Sequence, residues 1–330
     1  MSELYFDHRW CAPHGIGRFA TEVRQRLVGF ADLPIGGSPT SPIDACTLAR
    51  WLGRSGAKTF FTPGFNVPAW SKCNIVTTVH DLIHVHFRDE ASVLKTAYYR
   101  YVQRPVIRRS PVTLTVSEFS RQQIIQWYGV DEDRVVVVGN GVSEDFTAEG
   151  PAAANDRPYF FYVGNAKPHK NVNALLHAFS MLSRTEDVAL KLVMKPNDDL
   201  LGRVADLSIA NRVEFLTGLS DSQLAALYRG ASALVLPSYF EGFGLPIVEA
   251  MACGCPVIGA NRTSIPEVAG KAGLLFEPDD HEQLADAMKR MLGESQERDT
   301  LVAHGTERAK EFQWAHVASK VQAALDPLIH

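Results

Sequence analysis

The sequence predicts an α/β protein made of two doubly wound, parallel-sheet domains. Three observations lead there. Short β-rich runs alternate with helical patterns along the chain, which is the rhythm of parallel βαβ units. One polar, small-residue passage, Glu149-Gly150-Pro151-Ala152-Ala153-Ala154-Asn155-Asp156-Arg157-Pro158, interrupts all periodicity near the middle. The length, 330 residues with 46% hydrophobic and 21% charged content, suits about two domains with cores of their own.

In the first half the strand-like runs are Leu4 to Phe6, Thr59 to Phe61, Ile75 to Val79, Val112 to Val116 and Val135 to Val138. Past the interruption they resume as Tyr159 to Val163, Leu190 to Met194, Val213 to Leu216, Ala233 to Leu236, Pro256 to Ile258 and Gly273 to Phe276. The polar passage is the best linker and hinge candidate, giving domains of residues 1–150 and 151–330. Helix signals agree with this register. Val172, Leu175, Leu176, Phe179 and Leu182 trace an apolar stripe behind Asn171 as N-cap. Ser220 and Gln223 form a capping box ahead of Leu224, Leu227 and Tyr228, with Gly230 as a stop. In open sheets of this kind ligands bind outside the carboxyl ends of the strands, so two facing halves are expected to enclose a site in their cleft.

Composition excludes several function classes. A net charge of −4 with mixed signs argues against nucleic-acid binding by phosphate neutralisation. No apolar run approaches the roughly 20 residues that span a bilayer, and Met1-Ser2-Glu3-Leu4 opens no leader pattern, so a cytoplasmic protein is expected. Five cysteines without C-x-x-C spacing suggest neither a disulfide framework nor a zinc site. Between Ser92 and Arg109 tyrosines alternate with Lys95, Arg100, Arg104, Arg108 and Arg109. That mix is compatible with peripheral contact to an anionic membrane, although a solvated basic face backed by core aromatics is the preferred reading.

The most informative segment is Glu241-Gly242-Phe243-Gly244-Leu245-Pro246-Ile247-Val248-Glu249. Gly242 and Gly244 let backbone approach a ligand, and Pro246 suits a first helical turn where its missing N–H costs nothing. The turn therefore aims amides at an anionic ligand. Glu249 is expected in the first turn of the helix, placed to accept hydrogen bonds from hydroxyls such as those of a ribose, with Glu241 facing the same ligand from before the turn. Solvated glutamates flanking an ordinary strand-to-helix turn are the alternative, made less attractive by the glycines and proline between them.

This segment resembles the E-x7-E signature of retaining, family-four glycosyltransferases of the GT-B fold. The similarity extends from Val213 to Phe276, through Leu236-Pro237-Ser238, Glu249-Ala250-Met251-Ala252-Cys253-Gly254-Cys255-Pro256 and Ile265-Pro266-Glu267-Val268. The resemblance implies a GT-B architecture whose last helix, from about 315 to 325, crosses back onto the first, acceptor-side domain. It implies a nucleotide-sugar donor as substrate rather than a resident cofactor, and metal-independent transfer. No Asp-x-Asp stands at a strand end beside the proposed phosphates, in keeping with that.

A diphosphate carries about two negative charges, and a helix N-terminus offers roughly half a positive one, so a cation must complete the match. Lys170, just before Asn171 and after the strand Tyr159 to Val163, is placed for this, and the family has a lysine in that role. An arginine often stands five residues earlier in the family; here that position is Asn165, and Lys167 or Lys195 is left open as a substitute. His80, with Asp81, ends the strand Ile75 to Val79 and can donate to a sugar hydroxyl or to developing charge; in the family a histidine at a comparable point reaches the donor sugar. By the same resemblance Thr217 to Leu219 line the base pocket, mostly through backbone.

Gly15-Ile16-Gly17-Arg18-Phe19-Ala20 offers a further helix N-terminus to the phosphates. Its G-x-G-x-x-A spacing also matches a nicotinamide-binding fingerprint. That reading fails because Asp7 to His14 separate it from the first strand and because Asp32 and Asp44 stand poorly for the ribose-binding acid.

The expected site is therefore His80 and Glu241 as catalytic residues, with Gly15, Gly17, Asn165, Lys170, Thr217, Leu219, Phe243, Gly244, Leu245 and Glu249 holding the donor. Expected partners are a nucleotide sugar and a saccharide or lipid-linked acceptor in surface polysaccharide synthesis. The opening style around His14 to Phe19 is similar to mannosyl- or rhamnosyltransferases, which points to GDP-mannose or a GDP-deoxyhexose, with UDP and dTDP sugars open. A non-catalytic nucleotide-sugar-binding subunit and a GT-B epimerase or phosphorylase are the alternatives.

Overall fold

The computed structural model describes residues 3–13, 15–87, 93–293 and 295–329; His14, Ser92 and the opening Met1-Ser2 lie outside them. Two compact units result. The first comprises residues 1–141 and 313–330, the second 142–312.

The strands of the first unit are β1 (Leu4–Phe6), β2 (Ala31–Asp32), β3 (Thr59–Thr62), β4 (Asn74–Thr78), β5 (Thr113–Thr115) and β6 (Val135–Val137). They form one sheet in the order β2-β1-β3-β4-β5-β6, parallel at each pairing. Successive side chains in a strand point to opposite faces, and the core divides accordingly. Leu4, Phe6, Phe61 and Val76 meet Phe19 and Val23 of the helix Ile16–Arg26. Their neighbours Tyr5, Phe60 and Ile75 pack with Leu48 and Leu52 of the helix Asp44–Ser55 on the other face. An all-parallel sheet needs cover on both faces, and the central β3 is buried at every position.

The final helix, Trp314–Leu325, buries Trp314, Val317, Val321 and Leu325 in the first of these clusters. Their spacing puts them on one stripe of the helix. Gly141 lies against the Trp314 ring and backbone with no room for a Cβ.

In the second unit β7 (Tyr159–Val163), β8 (Ala189–Val193), β9 (Val213–Leu216), β10 (Ala233–Leu236), β11 (Val257–Ala260) and β12 (Gly273–Phe276) form a sheet in the order β12-β11-β10-β7-β8-β9. Pairing is again parallel throughout. Helix Val172–Leu182 packs against His281–Arg290, and Leu245–Ala252 against Gln296–Ala309. Read outward from β7, this is the strand order of a dinucleotide-binding sheet, whose direction of winding reverses between β7 and β10. The first sheet reverses between β1 and β3.

The structure differs from the sequence reading in several places. The two-residue β2 was missed, being too short to show any period. The units part at 141/142 and 312/313 rather than at 150/151. The passage from Glu149 to Pro158 belongs to the second unit because Arg229 fastens it: Nε donates to the Pro151 carbonyl and Nη1 to that of Thr147, both at 2.9 Å. The Ser220–Gln223 capping box is present. Gly230 is the last residue of that helix instead of its stop, and it is glycine because a Cβ would strike the Tyr159 hydroxyl and the Ala153 carbonyl.

The docking of the last helix can be tested directly. Leu325→Ala removes a side chain with 0% exposure from the first unit's core and is expected to lower the unfolding free energy by about 2–5 kcal/mol, read from urea denaturation.

Candidate functional site

The loops that leave β7 and β10 meet at the second unit's switch point. After β7 the chain runs through Gly164 and a 3-10 turn at Pro168–Lys170 into the helix Val172–Leu182. Asn171 stands between turn and helix in the left-handed region, φ 51°. It occupies the expected N-cap position but makes no capping bond. Its side-chain Nδ2 donates instead to the Pro278 carbonyl at 3.0 Å, and this contact with the loop after β12 fixes the turn. The Tyr239 amide donates to the His169 carbonyl at 2.8 Å, tying the same turn to the loop after β10.

Held this way, Lys170 Nζ lies 2.8 and 3.0 Å from the two carboxylate oxygens of Glu241. Ser238 Oγ donates to Glu241 Oε1 at 2.7 Å. The Glu241 backbone is pinned as well. Its amide donates to Thr263 Oγ1 at 3.0 Å, and its carbonyl accepts from Ser264 Oγ at 2.9 Å. Both charged side chains are mostly buried, at 18% and 11% exposure. An ion pair so placed gains little net stability, since desolvation offsets the Coulomb attraction. Its value lies in holding a cation and an anion at a fixed point on the ligand-binding edge.

The helix Leu245–Ala252 begins at Gly244, φ 95°, with Pro246 in its first turn. Glu249 is not in that first turn, as expected from sequence, but one turn further in, because the helix starts only at Leu245. It is buried at 7% exposure. Its Oε2 accepts from the hydroxyl of Tyr228 at 2.9 Å. Tyr228 is itself buried between Phe161 and Phe146. Burial and the Glu249 charge both push the Tyr228 hydroxyl well above its usual range, so it remains a donor. The Phe243 ring packs edge-on against Phe312, centroids 5.7 Å apart, and is mostly buried.

Asn165 supplies no charge. Its Oδ1 accepts the Lys167 amide at 3.1 Å in a local turn, and its carbonyl accepts from Tyr162. Lys167 lines a groove of about 550 Å³ with Asn197, Tyr239 and Asp279, a groove that neither Lys170 nor Glu241 lines. Lys195 is exposed past the end of β8. Thr217 and Leu219 follow β9, the edge strand, around Gly218 at φ 71°.

In the first unit His80 follows β4 at the carboxyl edge of its sheet. Its Nε2 lies 2.9 Å from the Pro63 carbonyl, which fixes that nitrogen as the N–H and leaves Nδ1 as the acceptor of the neutral ring. With Nε2 committed to the Pro63 carbonyl, the neutral ring offers Nδ1 as a hydrogen-bond acceptor, where the sequence reading had the histidine donate. Phe19, from the helix that Gly15 caps at φ 54°, stands edge-on to the imidazole at 4.9 Å. Gly17 lies within that helix, where a Cβ would collide with Ala12. The structure therefore brings His80 against the helix that carries Gly15 and Gly17 at its start, through Phe19, and joins Lys170 to Glu241. Sequence reasoning missed Ser238, Thr263, Ser264 and Tyr228 as partners, although Ser238 stood in a quoted stretch.

Two doubly wound parallel sheets, the second carrying a lysine–glutamate pair at its winding reversal, are the architecture of a GT-B glycosyltransferase. Comparison with known proteins agrees. Residues 143–308 match the family described as glycosyl transferases group 1, and residues 1–146 match Glycosyltransferase Family 4. The chain belongs to these glycosyltransferases.

Among its relatives, O-antigen chain mannosyltransferase B of Escherichia coli is 30% identical over 74% of this chain and 68% of its own length. The MMP alpha-(1->4)-mannosyltransferase of Mycolicibacterium hassiacum is 36% identical over 70% of the chain, which spans 58% of that protein. The serotype-specific mannosyltransferase WbdA of Escherichia coli is 29% identical over 82% of the chain, which spans only 35% of WbdA. In fold, sucrose-phosphate synthase of Thermosynechococcus elongatus is similar at TM-score 0.79 and 20% identity, each chain covered to 98%. WaaG, a glycosyltransferase involved in lipopolysaccharide biosynthesis, is similar at 0.75 and 16%, with 98% coverage of both.

The state of His80 carries a pH signature. Burial pushes its imidazole below the usual range, against smaller upward pulls from the Pro63 carbonyl and Asp81. The unfolded chain takes up this proton near pH 6.5, before the folded one does, so the contribution of His80 to stability is complete above about pH 6.5 and is lost as pH falls through the folded value. Burial also lowers His86 and His177, so the reading is a difference. Urea midpoints of the native chain, minus those of His80→Asn, are expected to be flat above about pH 6.5 and to decline below it.

Proposed function

We propose that this chain transfers mannose, or a deoxyhexose such as rhamnose, from a nucleotide-diphosphate sugar to a saccharide or lipid-linked saccharide acceptor, with retention and without a metal. The Lys170–Glu241–Ser238 constellation at the switch point carries this reading. Mannosyl transfer draws its support from the relatives named above, and a GDP-linked donor follows from it as the preferred nucleotide. The setting is surface polysaccharide assembly at the cytoplasmic face of a membrane. Exposed Val93, Leu94 and Tyr101 beside Lys95 and Arg100 would suit peripheral contact with anionic lipid. Among the described residues no helix is long and apolar enough to cross a membrane.

In this reaction the bond from the anomeric carbon to the leaving phosphate oxygen breaks, and its electron pair departs with the diphosphate. The acceptor oxygen bonds to the same face of that carbon and loses its proton to the departing phosphate oxygen. Charge builds in two places, negative on the diphosphate and positive on the sugar ring. Lys170 Nζ and the amide of Leu245, the first of its helix, would meet the first. Glu241 would meet the second, its charge kept from wandering by Ser238 and Lys170. A buried Glu249 would accept from the ribose hydroxyls beside Tyr228.

Lys170→Ala is expected to lower kcat about 10²- to 10³-fold, as for loss of a single preorganised charge-stabilising donor. Unchanged turnover would overturn the assignment. Thermal shifts with GDP, UDP and dTDP test the base: a nucleotide at 100 times its Kd adds about 2.7 kcal/mol, and GDP is expected to give the largest shift. Retention is read from the anomeric coupling of the first-formed product.

A further inference from the structure

The first sheet has a switch point of its own, between β1 and β3, where the topological rule places a second ligand crevice. The side chains there form a closed polar network. Arg9, on the turn after β1, donates from Nε and Nη2 to the two oxygens of Asp7 at 2.7 and 2.8 Å. Nη1 and Nη2 reach the two oxygens of Asp44 at 2.6 and 3.2 Å. The three side chains are at most 5% exposed. Asn66, on the loop after β3, donates Nδ2 to both aspartates at 3.1 and 2.9 Å. Its Oδ1 accepts the indole N–H of Trp10 at 2.5 Å and the Thr62 hydroxyl at 2.7 Å.

Two carboxylates and one guanidinium buried together are costly, and well-packed apolar residues would stabilise the fold at least as well. What the network does is hold Trp10. The indole is fixed at its nitrogen by Asn66. It lies on Gly64, where a Cβ would occupy the ring, and Phe65 stands against it at 5.1 Å and 66°. Trp10 remains partly exposed on the sheet edge that also bears His80.

We infer that Trp10 is a stacking platform for a saccharide ring of the acceptor, and that Arg9, Asp7, Asp44 and Asn66 are its positioning residues. The inference rests on the glycosyl-transfer reading. A sugar presents an apolar C–H face that suits an indole whose single donor is already committed. The formal charge of the network, one guanidinium against two carboxylates, disfavours a diphosphate-bearing ligand and admits a neutral sugar.

The experiment uses the full chain labelled with 5-fluorotryptophan, which places one 19F probe at each of the five tryptophans; the signal lost in Trp10→Phe is that of Trp10. A short α-linked mannose oligosaccharide is expected to shift this signal saturably, and GDP to leave it in place. In steady-state transfer Trp10→Leu is expected to raise the acceptor KM about tenfold, with the GDP Kd unchanged. Trp10→Phe, which keeps an aromatic face, should fall between. No movement of the Trp10 signal up to the solubility limit of the oligosaccharide overturns the inference, as does a shift driven by GDP. A Trp10 signal that responds to oligosaccharide in a protein without transferase turnover would leave the platform standing and remove the transferase reading instead.

Discussion

The ion pair between Lys170 and Glu241 is the contact on which the proposed chemistry of the second unit depends. It exists because β10 lies beside β7 in the sheet although two strands separate them in the chain. That adjacency sets the loop bearing the ammonium against the loop bearing the carboxylate. Each loop is then braced from a third place. Asn171 reaches the Pro278 carbonyl beyond β12, and Thr263 and Ser264 hold the Glu241 backbone. A lysine able to meet a leaving diphosphate is useful only where it cannot relax away, and preorganisation of this kind is usually the largest single term in catalysis.

The same logic is repeated in the first unit with other residues. There the reversal lies between β1 and β3, and the pinned group is an aromatic ring. Arg9 plays the part of Lys170, but both of its faces are satisfied by aspartates, so it is a brace and has no charge left to offer a ligand. The two sheets thus present different side chains at equivalent places, an ion pair on one and a pinned indole on the other. His80, with its donor tied to Pro63, stands on the first of these sheets as a neutral acceptor.

Much of this was legible from the chain. The runs Leu4 to Phe6, Tyr159 to Val163, Val213 to Leu216, Ala233 to Leu236 and Gly273 to Phe276 are strands over those same residues, because a short β-rich run bounded by turn residues is a local pattern. The capping box at Ser220 was equally plain, being a local spacing rule. Glu249 shows where local rules stop. Its place in the second turn depends on where Gly244 and Pro246 let the helix begin, and its partner Tyr228 comes from a different helix. The polar passage after Glu149 misled for a related reason, since composition marks irregular backbone but cannot reveal that Arg229 fastens it down.

By itself the sequence determined that there are two parallel α/β units, which turns carry glycine, and that Lys170, His80 and Glu241 lie in the segments that follow strands, because periodicity and turn chemistry act over a few residues. Only the tertiary structure decided who meets whom. Lys170 finds Glu241 across 71 positions, Asn66 finds Asp7 across 59, and Trp314 closes the first unit's core from the far end of the chain. Such partnerships follow from strand order, and strand order is set by how whole layers bury their apolar faces, a balance that no short window of residues contains.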